Sequence, residues 1–459
     1  MKKHIYYYLL VFTALIFTFK QSKAQESDLL KELRIPQILQ ENPGALLPYN
    51  GHVSFPALGR IQVGVNLPFN CGDLFNFSSE MLKKLKRNNV INNTIQIDLL
   101  HFGFRVNKKN YISIFSSIKT DIHLAFRKDL ARFVIEGNAP YEGKTMSFLS
   151  NDFLSVNAYA EIGIGYNREM NDKLSFGVNA KYLMGLANAY SKKADLSLYT
   201  GNNFNELILN YALEGKYAGI VDIEGFIDSE KKVDYSEIPQ NLKSHGFALD
   251  LGARYRINKW FEVNASVLDL GFIKWKANTK QYNVEKGTFS ITGYAYDDVF
   301  GESGSIKDFE PNKYLTAIGD SLKNIFDSEL EPSGSYTKWL NTKISLGGSF
   351  FINEKNRINA VFNGKIINGK FVPSGTISYV FNAGRWFDFV IGNTFRQNAF
   401  FNPGFGLNFT GGVFQFYLVV NYANTFIYID KARNLNFAFG INFVAPQKKE
   451  KASKTSYPY

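Results

Sequence analysis

The sequence predicts an all-β fold: a transmembrane antiparallel β-barrel of about 14 strands, with a short plug-like N-terminal segment and long extracellular loops. Three observations predict it. Large apolar residues alternate with small or polar ones along nearly the whole chain, as in Leu435, Phe437, Phe439, Ile441 and Phe443 against Asn436, Ala438, Gly440 and Asn442. Aromatic residues reach 16% while apolar residues reach only 45%, as expected when one strand face meets lipid and the other water. Finally, short connections alternate with long ones, the pattern of periplasmic turns and external loops.

The elements follow in order. Lys2 and Lys3, the apolar run Ile5 to Phe19, and Ser22-Lys23-Ala24 before Gln25 read as a signal peptide over 1–24. The apolar run is short for an uncleaved membrane span, which needs roughly 20 residues. Residues 25–51 form a periplasmic or luminal plug segment. Leu29, Leu30 and Leu33 share one face of a short helix, and Pro36 ends or kinks it before Ile38 and Leu39.

The barrel is placed at 52–444. Its strands run near 52–69, 94–106, 110–126, 153–166, 173–187, 245–257, 261–275, 337–352, 357–366, 371–381, 386–395, 404–411, 413–422 and 434–444. The clearest hairpin keeps even numbers outward from Val156 to Tyr166 and again from Leu174 to Met184, so its register agrees across the turn. In the next, Ile257 opposite Phe261 sets Arg256 against Glu262 inside, a cross-strand ion pair. Long connections fall at 70–93, 127–152, 188–244 and 276–336. An even strand count puts both termini on the periplasmic side. Ser78 to Lys86, Asp129 to Glu136 and Asn312 to Ser328 read as loop helices, the first capped by its serine. A basic tail, 445–459, follows the last strand. The competing fold is two packed soluble sheets, whose outward faces should be polar on every strand.

Charge and chemistry narrow the function. The formal +11 is scattered, with no basic helix or aromatic platform, so lipid headgroups fit better than nucleic acid as partner. Signal cleavage would lower that charge by four. The single cysteine, Cys71, excludes an intrachain disulfide framework. His52, His101, His123 and His245 are scattered without ligand spacing, and no nucleophile motif stands out, so neither metal, cofactor nor enzyme activity is expected. Asp297-Asp298 lacks a calcium-loop spacing. The inward charges Glu161, Lys181, Asp250, Arg254, Arg256, Glu262 and Asp388 are candidate lumen-lining residues, which either shape a pore or pair and fill a narrow one.

Several stretches together resemble a known family. They are Asn42-Pro43-Gly44-Ala45-Leu46-Leu47-Pro48, Phe247-Ala248-Leu249-Asp250-Leu251-Gly252-Ala253, Val267-Leu268-Asp269-Leu270-Gly271-Phe272-Ile273-Lys274-Trp275, and the C-terminal hairpins through Phe443. The chain resembles Bacteroidota outer-membrane barrels of unknown function, more distantly similar to long-chain fatty-acid channels. The resemblance implies a fourteen-stranded barrel with an N-terminal plug, passing hydrophobic molecules. In the channels an Asn-Pro-Ala belongs to a luminal hatch; here Asn42 and Pro43 match it, and Gly44 is a departure.

Two functional classes remain open in the outer membrane. One is a channel for hydrophobic or amphipathic small molecules, plugged by 25–50. The other is an assembly or docking platform whose loops 188–244 and 276–336 bind a partner protein or surface polymer, over a blocked lumen.

Overall fold

Alternating strands with one apolar face close into a ring when every edge finds a partner. The computed structural model describes residues 29–74, 78–202, 206–221, 238–292, 330–367, 369–396, 401–423 and 433–446. The signal peptide, the helix at 312–328, Asp297-Asp298 and the tail from 447 lie outside these. The strands are β1 (Tyr49–Ser54), β2 (Ile61–Asn66), β3 (Asn88–Asn107), β4 (Asn110–Arg127), β5 (Lys144–Ser147), β6 (Leu149–Glu169) and β7 (Leu174–Thr200). Then come β8 (Glu206–Gly219), β9 (His245–Arg256), β10 (Phe261–Trp275), β11 (Lys280–Thr292), β12 (Leu330–Pro332), β13 (Tyr336–Trp339) and β14 (Lys343–Phe351). The last six are β15 (Asn356–Ile367), β16 (Lys370–Ala383), β17 (Phe387–Phe395), β18 (Pro403–Gly411), β19 (Phe414–Asn421) and β20 (Asn434–Pro446).

Neighbours pair antiparallel around the wall, and β20 returns to β1 and β2, closing a barrel of 14 strand positions. β1 and β2 share one position, both lying between β20 and β3. This closure excludes two stacked sheets with free borders.

The outward face is apolar. On β9 and just beyond it, Phe247, Leu249, Leu251, Tyr255 and Ile257 are all exposed. Ten residue steps at about 3.3 Å, tilted by roughly 40°, span about 25 Å, the height of a lipid-facing band. Aromatic pairs border it. Trp260 with Phe350 and Trp386 with Phe387 stand near the short turns, and Phe272 with Trp339 stands toward the other end. Among the described residues no helix is long and apolar enough to cross a membrane.

Three differences from the sequence reading matter. The first strand is not continuous: Phe55–Arg60 interrupts it, with Ala57 at φ 57°. The interruption stays bonded to both neighbours, through Phe55 N to Ile441 O (3.0 Å) and Ala57 N to Leu99 O (3.1 Å). The connection after β7's membrane-length part is not all loop. β7 continues to Thr200 and pairs with β8, which pairs with β11, so a sheet stands on the rim beyond the barrel. The loop helices form at Ser79–Lys84 and Lys128–Glu136, but Ser78 makes no side-chain capping bond.

Candidate functional site

The interior is occupied. Residues Leu29 to Pro48 run inside the ring, and their contacts reach strands from both halves of the chain. Leu29, Leu30, Leu33 and Ile35 pack on Val380, Val390, Tyr417 and Val419. Leu39, Ala45 and Leu47 pack on Tyr49, Tyr111 and Val444. The expected helix over the leucines is only a 3-10 turn, Leu30–Glu32, and a single helical turn Ile38–Glu41 follows Pro36.

Two glycine pairs let this segment lie against the wall, one beneath its backbone and one beneath the Leu29 side chain. Gly177 faces Gly252 across β7 and β9, and Gly392 faces Gly404 across β17 and β18. A Cβ on Gly177 would stand 2.0 Å from the Pro43 carbonyl oxygen, and one on Gly252 2.2 Å from Asn42 Oδ1. Leu29 fills the second pair's space. Polar bonds then fix the segment. Asn42 Oδ1 accepts from Gly44 N (2.9 Å), and Asn42 Nδ2 reaches Ala253 O at 3.4 Å. Asn167 Nδ2 donates to Pro43 O (2.6 Å) and Ala45 O (3.0 Å), while Ser175 Oγ donates to Gly44 O (2.7 Å). Gly44 itself has its Cα side against Ala253, so a larger residue there would collide with β9.

The seven charged residues singled out from the sequence all lie on the inward face, in three groups. Lys181 is the hub of the first. Its Nζ lies 2.6 Å from Asp250, 2.5 Å from Asp269 and 3.9 Å from Glu161. Lys119 pairs with Glu161 at 2.9 Å, and Ser117 Oγ donates to the same carboxylate. In the second group Glu262 binds Arg254 (2.5 Å) and Arg256 (3.2 Å), with Arg256 and Glu262 directly opposite as expected. The third joins wall to segment: Asp388, fully buried, accepts from Arg34, Asn382 and Asn408. Ion pairs of this burial depend on every partner being present.

Sequence reasoning missed several members. Asp269 sits at φ 58°, where β10 slips register against β9 between Val267 and Leu270, and its N–H donates to Asp250. The slip turns an outward-phase position inward, and its signal is the change from odd to even exposed residues on that strand. Arg60, turned inward by the interruption in the first strand, pairs with Glu41 (2.7 Å) and Asp98 (3.3 Å) and donates to Gln40 Oε1. Glu32 pairs with Arg357 at 3.8 Å and accepts from Asn359; burial raises its pKa, against the opposing pull of Arg357 and Lys31. His52 and His101, remote in sequence, stack edge-on with centroids 4.4 Å apart, and His52 Nδ1 lies 2.6 Å from the Tyr111 hydroxyl. Among the described residues no cluster of three His, Cys, Asp or Glu is arranged to hold a metal.

Two cavities flank these groups. One of about 150 Å³ lies between the segment and the wall toward the short turns, beside Glu41, Arg254, Glu262 and Arg357. The other, about 40 Å³, lies toward the long connections beside Lys119, Asp121, Asn341, Lys343 and Lys365. Beyond the ion network a buried apolar layer of Tyr159, Leu183, Ile273, Trp275 and Leu340 lines the side built by β6, β7 and β10. The arrangement can hold a filled, layered lumen.

Among solved structures, the chain is similar to the Ralstonia pickettii toluene transporter TbuX, with 11% identity, 89% of this chain and 94% of that chain covered, and a TM-score of 0.41. It is similar to the Pseudomonas putida toluene transporter TodX at 8% identity, covering 92% and 93%, with a TM-score of 0.36. A Pseudomonas aeruginosa FadL homologue gives 9% identity, 90% and 94% coverage, and a TM-score of 0.39. No curated protein matches the chain. A family model does match, over residues 43–421, from Pro43 of the inner segment through β19. By that match the chain belongs to the family of unknown function DUF5723.

Proposed function

We propose that this protein is an outer-membrane channel for hydrophobic or amphipathic small molecules, held shut by its own N-terminal segment. The membrane reading rests on the exposed apolar band and its aromatic borders. The location assumes the signal peptide that the sequence predicts, with both chain ends on the periplasmic side.

One observation carries the channel reading. About eight strands suffice for side chains to fill a barrel, whereas a 14-strand wall leaves surplus space. Here a separate stretch of chain fills that space, held by packing, hydrogen bonds and ion pairs rather than by strand pairing with the wall. Such a filler can leave without unfolding the wall. The interior it would vacate stacks apolar layers on charged ones, offering partners to both ends of an amphiphile.

The test is flux through proteoliposomes of the full chain and of a chain lacking residues 25–48. Faster entry of an amphiphile into vesicles with the shortened chain supports the channel. Equal, background-level entry with both would remove it.

A second reading has its own observation. The sheet of β7, β8 and β11 stands on the rim over a filled interior, as a platform for a partner protein or surface polymer would require. Background flux together with capture of cell-surface polymer that is lost when 201–244 is shortened would favour this alternative.

A further inference from the structure

We propose that the rim between β3, β4 and the helix Lys128–Glu136 is a binding site for a phosphate-class oxyanion. A cavity of about 380 Å³ lies there, lined by Arg87, Arg127, Lys128, Asp129, Arg132 and Thr145 among others. That volume falls in the range of about 300–1,000 Å³ usual for small-molecule pockets.

The charge at this cavity is unbalanced. Four cationic side chains surround one carboxylate, and that carboxylate is already engaged. Asp129 accepts from the Ser147 N–H (3.2 Å) and pairs with Arg132 at 3.2 Å. Among the described residues no ion pair reaches Arg87, Arg127 or Lys128. Lys128 N donates to Arg87 O (3.0 Å), and Arg127, next to Lys128 in the chain, is paired through β4 with Asn88, next to Arg87. Arg127 Nε is buried with no hydrogen-bond partner. A buried guanidinium donor left unmet is costly, and an oxyanion is the group that meets it. Three uncompensated charges suit a doubly charged phosphate better than a single carboxylate.

The surroundings are rigid enough to preorganise the site. Leu85, Phe126 and Ala131 belong to a buried cluster with Leu67, Phe69, Met81 and Leu82, which fixes both helices against the wall. The phosphate could be carried by a lipid headgroup of the outer leaflet or by a soluble molecule. Only the lipid source rests on the membrane orientation proposed above; the oxyanion site does not, and flux measurements do not bear on it.

The full chain, purified in zwitterionic detergent, is titrated calorimetrically with inorganic phosphate at constant ionic strength. Saturable binding is expected, weakened about tenfold in Arg127→Gln and in Lys128→Gln, retained in Arg127→Lys, and unchanged in Lys193→Gln on the protruding part of β7. Lys128 lies on a partly exposed helix position, so its variant stays informative if Arg127→Gln fails to fold. In a second arm the protein is placed in phosphatidylcholine nanodiscs doped with phosphorylated or dephosphorylated lipid A, and retained lipid is read by native mass spectrometry. Selective retention of the phosphorylated form, lost in Lys128→Gln, identifies a headgroup. Phosphate binding without such retention identifies a soluble phosphate. Absence of saturable phosphate binding, or equal binding by every variant, overturns the site.

Discussion

Replacing Gly177 with alanine tests how firmly the inner segment is seated. The added Cβ would stand 2.0 Å from the Pro43 oxygen, whereas ordinary contact needs about 3.5 Å. The neighbour is backbone, and so is Gly252 across the strand pair, so the segment must retreat by about 1.5 Å. That retreat breaks the bonds from Asn167 to Pro43 and Ala45 and from Ser175 to Gly44. At about 1 kcal/mol each, the loss is about 3 kcal/mol, or roughly a hundredfold in the ratio of seated to unseated segment. Leu39, 4% exposed, is replaced by cysteine in a Cys71→Ser background, and its maleimide labelling is timed. Labelling should accelerate by up to about a hundredfold in Gly177→Ala. It should stay unchanged in Gly348→Ala, where nothing lies within 4 Å of the new atom. If the Gly177 variant labels at the parental rate, the glycine pair does not seat the segment.

Further expectations follow from other contacts. Lys181→Met leaves Asp250, Asp269 and Glu161 without their shared cation and should destabilise the barrel by about 3–5 kcal/mol, read by urea unfolding in detergent. Adding Asp269→Asn should recover part of that loss. Leu251→Arg, on the outward face, should cost about 2–4 kcal/mol of bilayer stability, read by folding yield into vesicles. Glu32 holds its proton more tightly when seated than when released. Its contribution to seating is therefore full below the ordinary carboxyl range and fades as pH rises through the elevated value. Vesicle flux should rise with pH above the ordinary carboxyl range in the parent, and Glu32→Gln should flatten that rise.

Much of the wall was legible because alternation is a local property that each strand writes into its own residues. Tyr255 is exposed as its phase requires, and Arg256 meets Glu262. What escaped depends on breaks in phase and on distant partners. On β10, Val263 and Val267 are outward-phase while Leu270 and Phe272 are the exposed residues beyond the bulge, a slip visible in the sequence yet easily read as one strand. The same slip separates Ile97 from Leu100 on β3. The rim strands escaped because they pair with one another beyond the bilayer, where the lipid contrast that sharpens alternation is absent. Of the interior, the inward charges were legible by parity, but their grouping was not. Nothing local places Arg34 beside Asp388, or His52 beside His101.

Ring closure also constrains the order of assembly. The last strand seals against the first, and the stretch just before that first strand lies indoors, touching residues contributed by early, middle and late portions of the polypeptide. Its complete berth does not exist until the seam is shut. Lodging of the N-terminal stretch is therefore a concluding event of assembly, and a barrel caught before it would hold an empty hall.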